Sequence, residues 1–197
     1  MRKLEIVLAA ALVLGFIMKL LHLQGANMTV GIAGSLLAIL YFVFTFALVN
    51  GIRARNIFKN SSYRHTNIKR IIGAIGLGFA LSSIVIGLLF RIMLWSGATY
   101  QLLASLIVLA IVTLVAGIFY FRSRVPYYHR IFIRAGIYGV AGLVFFFLST
   151  YTMIGIYYGD DPAYTKLYKE VIDKPSDYGL REELRQTEYR PHTVSDD

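Results

Sequence analysis

The sequence predicts an all-α polytopic membrane protein with five transmembrane helices: a duplicated parallel helical hairpin, a fifth span and a short helical tail. Three observations lead there. Of 197 residues 57% are hydrophobic and only 16% charged, a balance suited to lipid rather than water. Five apolar stretches, about 4–23, 29–50, 71–95, 101–121 and 132–158, each approach the roughly 20 residues a helix needs to cross a ~30 Å hydrocarbon core. Finally, Gly15–Asn27 is echoed at Gly87–Thr99 with a constant offset of 72 residues, so the first two spans are mirrored by the next two.

Strict identity in the echo is confined to Gly15/Gly87, Gly25/Gly97 and Ala26/Ala98, but the class pattern is fuller. Each copy reads glycine, two apolar residues, one cation (Lys19 or Arg91), further apolar residues, then a polar residue before Gly-Ala. Two spans separate the copies, so both hairpins point the same way and an axis along the membrane normal is expected to relate them. The organisation expected is a first hairpin over 1–50, a basic cytoplasmic loop over 51–70, and a second hairpin over 71–121. A basic loop with the fifth span follows over 122–158, then an acidic extracytoplasmic tail over 159–197.

Charge fixes the expected orientation. The formal balance is +9, yet ten of the eleven acids lie in residues 159–197 and the eleventh is Glu5. The cations instead fill two acid-free connections: Arg53, Arg55, Lys59, Arg64, Lys69 and Arg70 in one, Arg122, Arg124 and Arg130 in the other, followed by Arg134. The positive-inside rule places these and the N-terminus in the cytoplasm and the tail outside a cell inner membrane. The same distribution argues against nucleic-acid binding, because membrane sidedness accounts for the basic charge. Span one is not expected to be a cleaved signal, since Lys19 and His22 stand where a small-residue cleavage site would follow.

Ionisable groups in spans are candidates for function by default. Lys19 and His22, three apart, are expected to share a helix face near the outer end of span one, with Arg91 at the matching place in span three. An interface anchor or a helix-capping contact is favoured there over an ion pathway, since both cations lie within snorkelling reach. Arg91 cannot relay protons because it does not deprotonate. Trp95 suits an aromatic interfacial belt, and Gly25 and Gly97 mark the two tight outer turns. Between residues 6 and 159 there is no Asp or Glu, so no intramembrane carboxylate is expected to pair with Lys19. Chemistry is further bounded by the lack of any Cys, of a phosphate-cradling glycine loop and of a nucleophile elbow. Neither an enzyme nor a cofactor or metal site is expected.

Small residues line two spans: Gly73, Gly76, Ala80, Ser83 and Gly87 in span three, Gly136, Gly139 and Gly142 in span five. They suit close helix packing within the bundle, the alternative being an interface in a homo-oligomer. The aromatics Tyr41, Phe42, Phe44, Phe46 and Phe145–Phe147 read as packing or lipid-facing groups. In the tail, Asp161-Pro162 reads as an N-cap with proline at the first helical position. Tyr164, Leu167, Tyr168 and Val171, with Ile172, then form one apolar face that is expected to dock a membrane or periplasmic protein partner. Lys174-Pro175 stops that helix, a charged second helix is expected within Ser176–Arg190, and 191–197 should fray.

The phrase Phe16-Ile17-Met18-Lys19-Leu20-Leu21-His22-Leu23-Gln24-Gly25-Ala26 resembles the first transmembrane hairpin of the gliding-motility motor subunit L family (GldL type), inner-membrane components of type IX secretion. Lys19, His22, Gly25 and Ala26 match that family's phrase, whereas Leu23 and Gln24 stand in place of Trp-Pro. Arg91, Trp95, Gly97 and Ala98 match in the second copy. The resemblance covers about 1–50 and, more weakly, 72–121. In the family an acid in the second span serves a proton-driven motor; the equivalent stretches around Tyr41 and Thr113 carry none. The resemblance therefore implies a relative of the hairpin without motor chemistry, an accessory or scaffold subunit. A small transporter or channel, with Lys19, His22 and Arg91 facing an outward cavity, is the other reading.

The orientation is checked by thiol labelling, which the cysteine-free sequence makes clean. Ser62→Cys should resist an impermeant reagent in intact cells and Leu180→Cys should react. Labelling at Ser62→Cys would reverse the assignment.

Overall fold

In the structure, a computed structural model, residues 1–50, 68–123 and 126–188 are described. The basic connection around Ser62 and the final residues 191–197 lie outside them. All regular structure among the described residues is helical: α1 Arg2–Leu20, α2 Ala26–Asn50, α3 Ile68–Ile92, α4 Ala98–Ser123, α5 Pro126–Phe147, α6 Thr150–Tyr158, α7 Pro162–Asp173 and α8 Tyr178–Glu188. The chain forms two compact units, Met1–Phe147 and the part that begins at Leu148.

Among the described residues four helical stretches are long and apolar enough to cross a membrane: Ala26–Asn50, Ile71–Ile92, Ala98–Phe121 and Tyr128–Phe147. The first unit is therefore that of a helical membrane protein. Helix α1, with 19 residues, has comparable length but carries Arg2, Lys3, Glu5 and Lys19 at its ends, which sets it apart from those four. The outward faces are strongly apolar. Ile32, Leu36, Ile39, Phe42 and Val43 of α2, and Ile107, Ile111, Leu114 and Ile118 of α4, are all exposed. Contiguous apolar surface of this extent is unfavourable in water and natural in hydrocarbon.

Helix α3 is the centre of the bundle, packed against α2, α4 and α5. Its Leu77, Ala80, Leu81, Ile84 and Val85 are fully buried. Small residues let the backbones close in. A Cβ on Gly78 would lie 3.0 Å from the Tyr41 carbonyl oxygen of α2, and one on Gly87 would lie 3.0 Å from Leu102 Cα of α4. Of the span-three stripe, Ala80 is fully buried and Gly87 lies against α4, with Ser83 Oγ 3.0 Å from Ser105 Oγ across the α3–α4 contact, whereas a Cβ on Gly76 would have only Val112 at 4.0 Å. Span five is divided in use. A Cβ on Gly142 would press Ile84 and Leu106 at 2.9 and 3.0 Å, whereas at Gly136 nothing lies within 4 Å.

The structure corrects the expected fifth span over 132–158. Helix α5 starts at Pro126, the N1 position that proline favours, and ends at Phe147. Ser149 then adopts extended geometry (φ −61°, ψ 144°) and its hydroxyl accepts a hydrogen bond from Tyr151 N, capping a separate helix α6. An unbroken run of apolar residues hides this boundary, because a serine cap leaves hydropathy almost unchanged. The second basic connection shrinks as well, since Arg122 ends up in α4 and Arg130 in α5.

In the second unit the local signals in the tail sequence hold. Asp161 Oδ1 accepts from Tyr164 N at 2.9 Å with Pro162 at the first helical position, and Lys174 closes α7. Asp177 Oδ1 accepts from Gly179 N and Leu180 N at the start of α8. Tyr164 and Tyr168 pack on Tyr158 of α6, with ring centroids 4.8 and 5.7 Å away. The Tyr151 hydroxyl of α6 donates to the Asp173 carboxylate of α7, which holds that phenol above its ordinary range.

The glycine geometry yields a direct comparison. Gly87→Ala should lower stability by about 1–3 kcal/mol, because its new methyl meets backbone. Gly136→Ala should be neutral or stabilise by about 0.5–1 kcal/mol, because it meets nothing and removes a glycine from a helix. Unfolding in mixed detergent micelles ranks the two, and the opposite order would refute the packing described.

Candidate functional site

The α1–α2 and α3–α4 connections are built alike. Helices α1 and α3 each end in a Schellman motif, in which the chain turns through one left-handed residue and pays back the last carbonyls. His22 has φ 54° and Leu94 φ 56°, followed by Gly25 at φ 81° and Gly97 at φ 78°. Leu23 N donates to Met18 O at 2.9 Å and Trp95 N to Phe90 O at 3.0 Å, while His22 N and Leu94 N reach Lys19 O and Arg91 O, each at 3.2 Å. Every one of these features recurs at the same 72-residue offset. A hydrophobic contact between the first and last residues of the motif commonly accompanies it, and Phe90 meets Trp95 at 4.8 Å between ring centroids.

This geometry changes the reading of His22. The helix stops at Leu20, so His22 is a left-handed turn residue and does not share a helical face with Lys19. Its counterpart Leu94 holds the same conformation without a titrating group. Non-glycine residues tolerate it at a cost of about 1–2 kcal/mol, which the closing hydrogen bonds offset.

The paired cations are buried. Lys19 is 9% exposed and Arg91 3%. Arg91 Nε donates to Phe145 O at 3.1 Å and its Nη1 to Thr99 Oγ1 at 3.1 Å. Phe145 lies in the last turn of α5, where carbonyls lack intrahelical partners and the helix dipole is negative. Arg91 thus caps α5 from the side. Lys19 shares that end of the bundle: Phe16, one turn before it, meets Phe145 edge-on at 5.2 Å.

The opposite end holds a second polar cluster, which the sequence reading missed. Glu5 lies in the first turn of α1 and is 8% exposed. Arg134 of α5 grips it with two donors, Nε to Oε1 and Nη2 to Oε2, both at 2.7 Å. The Tyr41 hydroxyl of α2 lies 2.9 Å from Glu5 Oε1 and 2.9 Å from the Tyr138 hydroxyl of α5. Its single proton goes to the carboxylate, so Tyr138 supplies the second bond and the chain runs Tyr138 to Tyr41 to Glu5. Tyr41, read from sequence as a packing aromatic, is 1% exposed and is the middle link. Nearby, Arg130 Nη1 donates to Val49 O at 3.2 Å and caps the end of α2 as Arg91 caps α5.

This cluster forms the wall of a cleft of about 680 Å³ between the N-terminal halves of α1 and α5 and the C-terminal half of α2. Arg2, Lys3 and Arg130 stand at it with the Glu5–Arg134 pair, and Ile6, Ala9, Ile133 and Ile137 supply apolar lining. The charge pattern in the sequence could have found the site. Glu5 is the only acid in the first 159 residues, and Arg134 is a cation inside an apolar run. Glu5 stands one residue before the acid-free stretch that begins at residue 6. Among the described residues no group of three His, Cys, Asp or Glu side chains could hold a metal ion.

The chain matches no family model, no curated protein and no solved structure.

The hydroxyl chain predicts an order of effects. Tyr41→Phe removes the middle link, strips Glu5 of a donor and leaves Tyr138 without its acceptor, costing about 1–3 kcal/mol. Tyr138→Phe removes one terminal bond, costing about 0.5–1.5 kcal/mol. Equal losses in detergent unfolding would contradict the chain as drawn.

Proposed function

We propose that the protein is a non-enzymatic, five-span subunit of a cell inner membrane, an accessory or scaffold component that holds partners through its tail. The observation that carries this reading is the use to which the bundle puts its charges. Arg91 and Arg130 cap neighbouring helices, and Glu5 and Arg134 tie α1 to α5. Groups spent on bracing helices in this way are not arranged along a passage.

In this reading α1 also crosses the membrane and, with the four apolar helices, makes five spans. It packs on α2 and runs parallel to α5, Glu5 beside Arg134 at one end and Phe16 beside Phe145 at the other, which supports a shared crossing direction. The likeness of the two Schellman turns supports descent of the hairpins by duplication. The cationic connections face the cytoplasm and the acidic tail the periplasm. The GldL-type resemblance then stands for a shared hairpin from which the motor acid has been lost, since Glu5 occupies the first span rather than the second and is already held by Arg134.

The tail offers the docking surface. Tyr164 and Tyr168 are used against Tyr158, while Leu167 and Val171, one turn apart, are half-buried and complete the same face. A polar face that mixes Lys166 and Lys169 with Glu170 and Asp173 favours protein over lipid as the partner.

Two variants test scaffold against transport. His22→Leu copies the second turn and should leave cellular function and assembly intact, whereas joint Leu167→Asp and Val171→Asp should release co-purifying proteins with membrane insertion unchanged. Loss of activity in His22→Leu with normal insertion would favour a small transporter or channel using Lys19, His22 and Arg91.

A further inference from the structure

We infer that the cleft between the N-terminal halves of α1 and α5 binds the headgroup of an anionic phospholipid, with an acyl chain lying along the apolar wall. The charge of the cleft comes first. Its one lining carboxylate, Glu5, is held by two donors of Arg134, so that pair contributes no net charge. Arg2, Lys3 and Arg130 then add three positive charges around it, and all three side chains are exposed. Arg130 commits Nη1 to Val49 O, and a guanidinium carries five donors, enough to hold that carbonyl and bind an oxyanion as well.

The shape and surroundings choose a lipid over a free anion. The volume of about 680 Å³ suits a small-molecule ligand. It exceeds what an inorganic phosphate would fill. Beyond the cations the wall continues as Ile6, Ile133 and Ile137, each exposed on the outer surface of a bundle that is otherwise apolar. A ligand that satisfies both parts has an anionic oxygen cluster joined to a hydrocarbon tail. Basic pockets between membrane helices recognise phospholipid headgroups by this combination, and the positive-inside orientation puts the cleft at the anionic cytoplasmic leaflet.

A bound lipid of this kind would lie across the seam where α1 meets α5, beside the Glu5–Arg134 pair. It would add a second tie between helices whose main-chain packing runs through α2 and α3.

The test uses the full chain, delipidated in a neutral detergent, with thermal unfolding and native mass spectrometry as readouts. Short-chain phosphatidylglycerol should raise the unfolding temperature and remain bound in the gas phase; matched phosphatidylcholine should do neither. Inorganic phosphate at the same concentration should neither stabilise nor displace the lipid. Joint Arg2→Gln and Lys3→Gln, at exposed positions outside the packed core, should weaken phosphatidylglycerol binding about 25-fold, from roughly fivefold per cation near a headgroup. Joint Lys166→Gln and Lys169→Gln removes the same charge from α7 and should change nothing. Equal binding of the two lipids, full binding by the Arg2/Lys3 variant, or a phosphate effect matching the lipid's would each overturn the assignment.

Discussion

The bidentate contact between Glu5 and Arg134 is the constraint on which the arrangement of the first unit depends. Hairpin packing joins α1 to α2, α2 to α3 and α3 to α4, and the return of α5 onto α3 and α4 closes the core. Helix α1 is left at one side, held along its length chiefly by α2. Glu5 changes that, because a carboxylate at 8% exposure must be paired, and the pairing guanidinium comes from α5. The second contact, Phe16 on Phe145, falls eleven residues further along both helices and so fixes their parallel register. Tyr41 gives the carboxylate a third donor and, with Tyr138 bonded behind it, adds α2 to the joint. A charge pair in a low-dielectric seam favours one geometry far more sharply than dispersion between aliphatic side chains does.

The same economy governs the arginines at helix ends. The last four carbonyls of a helix lack intrahelical partners, and near hydrocarbon they cannot rely on water. Arg130 reaches Val49 O at the end of α2, and Arg91 reaches Phe145 O at the end of α5. The α1 and α3 ends solve the problem locally, by Schellman closure through His22 and Leu94. Arg91 and Arg130 therefore have structural employment where hydropathy alone would assign interfacial snorkelling, and Arg91, at 3% exposure, is no snorkelling residue.

What could be read from the sequence was whatever depends on neighbours along the chain. The 72-residue echo announced two equivalent turns, and their dihedral angles and hydrogen bonds agree, because a Schellman turn is set by a few consecutive residues. Asp161-Pro162 announced the start of α7 for the same reason. Three things were not legible. The break at Ser149 was hidden because one serine cap outweighs helix continuation only through its hydrogen bond to Tyr151 N. His22 was placed on a helix because α1 ends at Leu20, three residues sooner than the apolar stretch to residue 23 suggests. The joint of Glu5, Tyr41, Arg134 and Tyr138 joins residues up to 129 apart, and only packing brings them together. The role of each glycine was similarly tertiary: Gly142 lies against the side-chain ends of Ile84 and Leu106, a close approach that Gly136, on the same stripe, does not share.

The central claim is that the pair itself, rather than either charge, fixes α1 against α5, and a double-mutant cycle tests it most directly. Glu5→Gln and Arg134→Gln each leave a buried group without its partner and should cost about 3–5 kcal/mol in detergent unfolding. The double variant should cost less than the two single losses combined, with a coupling energy of about 1–3 kcal/mol. Strict additivity of the two losses would contradict the account.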